Sequence, residues 1–394
     1  MSAGATLRAA IGLSLAAAVS LGLARFSYAL LLPPMRADLG WSYFTGGAMN
    51  TANAAGYLIG ALLAPWWLAR RDARRLLVGG GIATALLLAA HGLVRADAPL
   101  LALRLLSGAA SAAMFVSGGL LAARLASAHA RSAGLVLGIF YGGTGAGIVA
   151  SALVVPAALA LPLAHGWQGA WLLLAALALL GTATVARATR VASPLAAPAA
   201  AGTADSVFAW RTFAFALAAY LLFGVGYIGY MTFVVTLLRE QGLAPALVVA
   251  FYVLLGCGVM ASPWIWAGLL QRHRGGVPLA VLNGLLALAT LLPVLTPNAV
   301  AAFASGALFG SVFLSLVAST TALVRHNLVP AAWSRGIAAF TIVFAVGQIF
   351  GPAAVGWVAD GPGGLQRGFI VSAAALALGA LLAARQRPLR AGGA

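Results

Sequence analysis

The sequence predicts an all-α integral membrane protein with twelve transmembrane helices in two six-helix bundles. Three observations predict this class: scarce charge, apolar runs that recur at bilayer-crossing length, and likeness between the two halves of the chain. Of the 394 residues, 63% are hydrophobic and only 7% are charged, whereas soluble domains average about 25% charged residues. These charges are too few to cover a water-soluble globule of this size, which excludes a soluble enzyme.

The excess of basic residues does not indicate nucleic-acid binding. The formal net charge is +17, but the basic residues, all of them arginine, are spread thinly between long apolar runs. They do not gather into the patch or stripe that a nucleic-acid surface requires. The single cysteine, Cys257, rules out an intramolecular disulfide. We therefore expect lipids, and no nucleic acid, around this chain.

Twelve segments are long and apolar enough to cross a bilayer, for which a helix needs about 20 mostly apolar residues. They are continuously apolar, whereas the strands of a membrane barrel alternate with a period of two. The first segment runs on to Pro33 with no clear cleavage site, so we expect a retained helix rather than a signal peptide. The predicted spans are 9–33, 43–68, 76–94, 99–123, 134–161, 168–186, 212–238, 247–270, 277–296, 299–324, 336–358 and 367–384.

Arginine asymmetry predicts the orientation. If the N-terminus is cytoplasmic, most arginines fall on the cytoplasmic side, and an even number of spans puts both termini there. The acidic residues Asp38, Asp97, Glu240 and Asp360 then lie on the opposite side. The arginines on that side are Arg36, Arg95, Arg239 and Arg367.

One connection divides the chain into two halves. Residues 188–211 are rich in Ala, Pro, Ser and Gly, which is typical of a flexible linker. We therefore predict an N-terminal bundle over 1–187, a cytoplasmic linker over 188–211 and a C-terminal bundle over 212–394. The halves are weakly alike, because arginine-containing connections follow the second and fourth span of each.

Two stretches in the first half carry recognisable motifs. The first span ends in LLLPPMRADLGWS (30–42), and LARRDARRL (68–76) follows the second. Both resemble motifs of the major facilitator superfamily: the Pro-x-Met-x-x-Asp-Leu-Gly-x-Ser exit from its first helix, and its Gly-x-x-x-Asp-Arg-x-Gly-Arg-Arg loop. Arg74 and Arg75 match the final basic pair of that loop. Arg70 stands where its acidic residue is expected, and Ala73 replaces a glycine.

Further stretches extend the resemblance over nearly the whole chain. RLLSG (104–108) is similar to the fourth-helix motif of the family, and GLARFSYALLLPPM (22–35) is similar to a bacterial branch, the YbfB/YjiJ type. GIFYGGTGAG (138–147) with Pro156 resembles the fifth-helix glycine motif associated with exchangers, although Gly142 and Gly143 replace its Gly-Pro pair. Close helix packing is the plain interpretation of these glycines.

The resemblance implies a major facilitator fold, in which two bundles enclose a central cavity lined mainly by helices 1, 4, 7 and 10. It implies a secondary active transporter rather than an enzyme, working by alternating access in a bacterial cytoplasmic (inner) membrane. Duplicated six-helix halves are a recurrent transporter plan, and we expect a monomer without cofactor or metal. The resemblance also implies that loop arginines contact anionic lipid and the gate between bundles, namely Arg70, Arg71, Arg74, Arg75, Arg272 and Arg274.

Two arginines lie inside predicted spans. Arg25 lies deep in the first span and Arg104 near the start of the fourth. A charge in the bilayer core costs at least about 2.5–3.5 kcal/mol and usually faces a partner or a cavity. The sequence places no acidic residue deep in a span to neutralise either arginine. A substrate carboxylate or phosphate would suit a guanidinium, although both arginines could instead be structural and bound to helix carbonyls.

Polar and aromatic residues complete the predicted substrate site. Tyr28 follows Arg25 by three residues and therefore shares its helix face. Asparagines in the second span could line the cavity or hydrogen-bond between helices, and tyrosines of the seventh could line it or simply pack. The additional candidates are Asn50, Asn53, Tyr57, Tyr141, Tyr227, Tyr230 and Gln348.

These residues lead to a function with one alternative. No phosphate-binding loop is present, so ATP does not drive the process. We predict movement of a small organic solute, favouring an anion held by Arg25. The alternative is proton-coupled efflux of drug-like neutral or cationic compounds. That alternative lacks an intramembrane carboxylate, the nearest being Asp38 at a span end, whereas a weak-acid substrate can carry the coupling proton itself.

Overall fold

The computed structural model describes residues 3–129, 133–162, 164–192 and 210–389, which form helices and connections without a strand. Twelve long helices run through this part of the chain, and each matches one predicted span. α1 has three consecutive segments, Ala3–Ala17, Ala18–Phe26 and Tyr28–Leu39. The others are α2 (Tyr43–Leu68), α3 (Ala73–His91), α4 (Asp97–Ser127), α5 (Ala133–Leu159), α6 (Gly166–Ala192), α7 (Ala214–Glu240), α8 (Pro245–Ile265, extended by Ala267–Arg272), α9 (Val277–Leu295), α10 (Ala299–Asn327), α11 (Trp333–Ala359) and α12 (Gly364–Ala384).

Eleven helices in the described part of the chain are long and apolar enough to cross a membrane. The exception is α2, which has 26 residues and therefore the length for a span. Its asparagines, threonines and glycines lower its hydropathy. Several of these residues are buried against neighbouring helices rather than exposed to lipid, among them Asn50 and Asn53.

The ends of several helices follow from local chemistry. α1 ends at Gly40, whose φ of 68° is a left-handed conformation that glycine adopts without strain. Ser42 caps α2 by accepting a hydrogen bond from the Thr45 amide, and Asp72 caps α3 in the same way through the Arg74 amide. The predicted linker begins later than expected, because α6 continues to Ala192. Residues 193–209 of that linker lie outside the described residues.

The helices pack as two groups of six with matching internal contacts. In the first half α2 and α3 pack on α4, α1 packs on α5, and α3 packs on α6. Each of these pairs has its counterpart in the second half, where α8 and α9 pack on α10, α7 packs on α11, and α9 packs on α12. The predicted fold, two six-helix bundles built on one plan, is therefore confirmed. The bundles meet mainly through three pairs, α1 with α7, α2 with α11, and α5 with α8, and α2 also touches α7.

Glycines of α5 allow two of its neighbours to approach closely. A Cβ atom on Gly143 or Gly147 would overlap the backbone of α1, and one on Gly145 would overlap the Gly256 carbonyl of α8. The glycine-rich stretch therefore packs α5 inside its own bundle and against the other bundle at once.

The polar contacts between the bundles concentrate towards one face. We call this the loop face, because it holds the α1–α2 connection, and the opposite one the terminal face. On the loop face Arg36 forms an ion pair of 3.1 Å with Glu240, and Tyr43 donates a hydrogen bond to the same carboxylate. Asp360 accepts hydrogen bonds from the Tyr43 and Phe44 amides.

The remaining hydrogen bonds described between the bundles lie at mid-membrane depth. Thr51 donates to the Ile349 carbonyl, Asn50 to Thr232, and Tyr252 to the Phe26 carbonyl. A fourth bond runs from Arg25 to Gln348. Together with the loop-face cluster, they join the bundles from mid-membrane to the loop face.

Candidate solute-binding site

Arg25 lies at mid-membrane depth, between the two bundles. It belongs to the Ala18–Phe26 segment of α1, where the backbone is a π-helix, a local widening that often marks functional sites. The side chain is only 4% exposed. One terminal nitrogen, Nη2, donates to the Oε1 atom of Gln348 in α11, and the Nε atom is buried without a hydrogen-bond partner. The guanidinium is therefore only partly satisfied by protein acceptors.

Gln348 joins Arg25 to the C-terminal bundle. Its Oε1 atom also accepts a hydrogen bond of 3.0 Å from the Tyr227 hydroxyl of α7. The Tyr227 ring stacks between Phe223, Phe313 and Phe344, with centroid distances of 4.7, 5.9 and 5.6 Å. This packing fixes the hydroxyl in position beside the amide.

Aromatic rings of the N-terminal bundle form the other wall. The Arg25 guanidinium carbon lies 5.3 Å from the centre of the Tyr57 ring, within cation–π range. Tyr57 contacts Phe115, which in turn contacts Tyr141. Tyr57 and Phe115 are partly exposed and Tyr141 is 42% exposed, so this wall borders open space.

No carboxylate neutralises Arg25 among the described residues. Four described acidic residues lie at the loop face: Asp38, which binds His165 and Trp167; Asp97, which binds Trp41; and Glu240 and Asp360 in the cluster above. Asp72 caps α3 at the terminal face. The nearest acceptor for Arg25 is thus a neutral amide oxygen, and its charge is uncompensated.

Arg104 lies close to Arg25, but its contacts favour a structural role over the predicted substrate contact. It is 1% exposed, and each of its three nitrogens has a protein acceptor: the Met49 carbonyl, the Ala24 carbonyl and the Asn50 Oδ1 atom, at 3.1–3.3 Å. Its guanidinium also lies 4.5 Å from the centre of the Tyr28 ring. Arg104 therefore ties α4 to α1 and α2, which is the structural alternative.

Four other predicted site residues are occupied by packing contacts. Tyr28 donates to the Gly46 carbonyl, and Asn53 donates to the Arg104 carbonyl and to Ser107. Asn50 bridges Arg104 and Thr232. Tyr230 hydrogen-bonds Ser305 and stacks on Phe309 inside the C-terminal bundle. Asn50 and Asn53 thus act as interhelical hydrogen-bond partners, and the structure gathers only Arg25, Tyr57, Tyr141, Tyr227 and Gln348 around one space.

The predicted gating arginines lie on the terminal face. Arg70 packs over Trp66, and Arg74 donates to the Ala186 carbonyl of α6 in its own bundle. Arg71, Arg75, Arg272 and Arg274 are exposed. The described contacts of these six arginines include no hydrogen bond to the opposite bundle.

The sequence did not single out several residues that shape the site. Phe115, Phe313 and Phe344 form its walls, and Tyr252 pins the end of the π-helical segment by donating to the Phe26 carbonyl. Their types are ordinary for any membrane helix, so the sequence holds no signal that separates them from packing aromatics. No group of three or more His, Cys, Asp or Glu side chains within the described ranges could hold a metal ion.

Known structures share this fold. A bacterial homolog of the human lysosomal transporter Spinster, inward-facing and unoccupied, matches with a TM-score of 0.73 at 14% identity, over 97% of each chain. The nucleoside transporter NupG gives 0.68 at 15%, over 97% of this chain and 98% of its own. A bacterial homologue of the human drug peptide transporters PepT1 and PepT2 gives 0.69 at 14%, over 96% and 95%. At such identities the likeness establishes the fold alone.

The sequence comparison is more specific. No curated protein matches the chain significantly. The family model described as "Uncharacterised MFS-type transporter YbfB" matches residues 17–384, which is nearly the whole chain. The chain is therefore a multi-pass membrane transporter and not an enzyme, and it belongs to the YbfB-type family of the major facilitator superfamily.

Proposed function

We propose that this transporter moves a small organic anion, with Arg25 as the electrostatic anchor. The observation that carries the proposal is a buried guanidinium between the bundles with an unpartnered Nε atom, no carboxylate among its described neighbours and one neutral acceptor. Desolvating a charge without a counter-ion is strongly unfavourable. A carboxylate is the natural partner, because a guanidinium binds it through charge-assisted hydrogen bonds.

The surroundings of Arg25 restrict the anion further. Each nitrogen of Arg104 has a protein acceptor, whereas only one nitrogen of Arg25 has one, so Arg25 has the greater donor capacity to spare. The walls are aromatic on both sides, with Tyr57 and Phe115 from one bundle and Tyr227 and Phe344 from the other. A single charge within aromatic walls suits a monocarboxylate with a flat apolar body, such as benzoate, better than a dicarboxylate.

Alternating access would proceed by rocking of the bundles around this site. The described ion pair and hydrogen bonds between the bundles run from mid-membrane to the loop face, which supports a state that opens at the terminal face. The arginine-rich connections lie at that face, so the positive-inside rule makes it cytoplasmic. We accordingly assign this state as inward-facing, in a monomer of the bacterial inner membrane with both termini in the cytoplasm.

Proton coupling would run through the substrate. The site has no described carboxylate to titrate, whereas a weak acid can cross as the pair of anion and proton. Efflux of a neutral or cationic compound by proton exchange is the competing function. It is favoured only by the resemblance of the α5 glycines to an exchanger motif, and these glycines have packing contacts that account for them.

Transport by purified protein in liposomes tests the proposal. We expect labelled benzoate and phenylacetate to move, faster when a proton gradient drives them, while succinate and the cationic dye ethidium do not. Arg25→Gln should lower the benzoate rate at least tenfold, because hydrogen bonds to a charged group contribute about 1.5–3 kcal/mol.

The matched control is Arg95→Gln, the same change at an exposed arginine of the loop face. It should leave the rate unchanged. Normal benzoate movement by Arg25→Gln contradicts the anchor, and ethidium movement without benzoate movement establishes the efflux function instead.

A further inference from the structure

One amide oxygen occupies the position that a substrate carboxylate would take. The Oε1 atom of Gln348 accepts hydrogen bonds from Arg25 of the N-terminal bundle and from Tyr227 of the C-terminal bundle. These two donors converge on a single point between the bundles. A carboxylate oxygen placed at that point would find the same two donors.

The chemistry of glutamine suits a temporary acceptor. An amide oxygen satisfies the two donors, yet hydrogen bonds to a charged carboxylate are roughly twice as strong as those to a neutral acceptor. A substrate carboxylate can therefore displace Gln348. A carboxylate at position 348 would instead pair with Arg25 permanently, and an apolar side chain would leave both donors unsatisfied.

We infer that Gln348 is an internal stand-in for the carboxylate of the substrate. In the empty transporter its Oε1 atom holds Arg25 and Tyr227. The incoming carboxylate takes over both donors, and release returns them to Gln348. This inference rests on the proposed function, because it requires that Arg25 bind an anion.

The stand-in has a consequence for the transport cycle. A transporter that changes between its two states only with substrate bound can carry out exchange, one anion inward for each anion outward, but not net transport. Gln348 gives the empty site an acceptor that joins the same two bundles as the substrate does. The empty protein can then change between its inward-open and outward-open states without leaving the Arg25 guanidinium buried and without an acceptor. Net transport therefore becomes possible.

Comparing net flux with exchange in Gln348→Leu tests this role. Liposomes loaded with labelled benzoate are diluted either into buffer without benzoate, which measures net efflux, or into buffer with unlabelled benzoate, which measures exchange. Wild-type rates should be similar in the two modes. In Gln348→Leu net efflux should fall at least tenfold further than exchange does, because the substrate restores an acceptor in the loaded state alone.

Two more variants keep the inference falsifiable if Gln348→Leu fails to fold. Gln348→Asn retains the amide and should show more net efflux than Gln348→Leu. If Gln348→Leu does not fold, the net efflux of Gln348→Asn is compared with that of liposomes without protein, which it should exceed. Gln348→Glu should raise the KM for benzoate at least tenfold, because the new carboxylate competes for Arg25. The control is Gln271→Leu, the same change at an exposed glutamine near the end of α8, which should match wild type in both modes.

The outcomes separate the two ideas. If Gln348→Leu lowers both modes equally or changes neither, or if Gln348→Glu leaves the KM unchanged, the stand-in role is overturned while anion transport stands. If wild-type protein moves neither benzoate nor phenylacetate in either mode, the proposed function fails, and the inference fails with it.

Discussion

At the scale of single residues, burial alone does not separate a binding arginine from a structural one. Arg25 and Arg104 are both almost fully buried and both lack a described carboxylate partner. The difference lies in their acceptors, because each nitrogen of Arg104 meets a protein oxygen, whereas the Nε atom of Arg25 meets none. Sequence could identify the two intramembrane arginines but not their partners, which come from helices distant in the chain.

We therefore expect substitution of Arg104 to lower the stability of the protein rather than its affinity for substrate. Arg104→Gln should remove the hydrogen bonds to the Ala24 and Met49 carbonyls and to Asn50, and hydrogen bonds to a charged group contribute about 1.5–3 kcal/mol each. We expect the melting temperature to fall by several degrees, as followed by circular dichroism in detergent. The KM for benzoate of the folded fraction should stay close to wild type, and a KM raised tenfold without loss of stability would contradict the structural role.

Two tyrosines of α7 offer a matched test of the site. Tyr227 and Tyr230 are three residues apart, yet only the Tyr227 hydroxyl reaches Gln348, because Tyr230 is turned towards Ser305. Tyr227→Phe removes one hydrogen bond, about 1 kcal/mol, and should raise the KM for benzoate about fivefold. Tyr230→Phe should leave it unchanged, and equal effects of the two changes would place the site elsewhere.

At the scale of helices, the sequence predicts the number and order of the elements well and their local distortions poorly. The predicted first span ends at Pro33, but α1 continues to Leu39. The proline pair removes amide donors without forcing the chain out of the helix, and Gly40 provides the actual stop. The π-helical segment that holds Arg25 was not predicted. It packs mainly on α5, and the sequence of the segment itself does not reveal that contact.

The close approach of α5 to α8 requires glycine at position 145. In Gly145→Ala the new Cβ would overlap the Gly256 carbonyl and crowd Met260. We expect this variant to separate the two helices and to lower benzoate transport at least tenfold. Gly134→Ala is the control in the same helix, because nothing lies within 4 Å of its added Cβ. Full activity of Gly145→Ala would show that the crossing tolerates a wider spacing.

At the scale of the whole molecule, the loop face is held closed by a small set of polar contacts between the bundles. Asp360 contributes two of them, from the end of α11 to the first amides of α2. Asp360→Ala removes both and should favour the state that opens at the loop face.

Spin-label distances check this prediction. With Cys257 replaced by serine, labels at the exposed positions Leu93 and Val300 report the separation of the bundles at the loop face. Asp360→Ala should shift the distribution to longer distances than in the otherwise identical protein. Asp97→Ala, which breaks only the contact with Trp41 inside one bundle, should not. An unchanged distribution in Asp360→Ala would contradict this role, because the Glu240 contacts and the α2–α11 packing would then keep the face closed without Asp360.

The global organisation was readable from sequence because it depends on composition and repetition. Apolar runs, arginine-rich connections and the likeness of the halves predict twelve helices in two bundles. The site was readable only in part, since Gln348 and Tyr227 meet Arg25 through the packing of one bundle on the other. A sequence pattern within one helix does not show which residues of another helix it will contact. For this reason the sequence predicted Tyr230 and Arg104 as substrate contacts on the same grounds as Tyr227 and Arg25.

Equilibrium binding of labelled benzoate to the purified protein tests the central claim most directly, because it isolates the Arg25 site from every later step. We predict saturable binding that unlabelled benzoate competes away and that benzamide, the neutral molecule of the same shape, does not. Binding should be lost in Arg25→Gln and kept in Arg95→Gln. Equal competition by benzamide, or undiminished binding in Arg25→Gln, would contradict the role of Arg25 as the anchor for an anion.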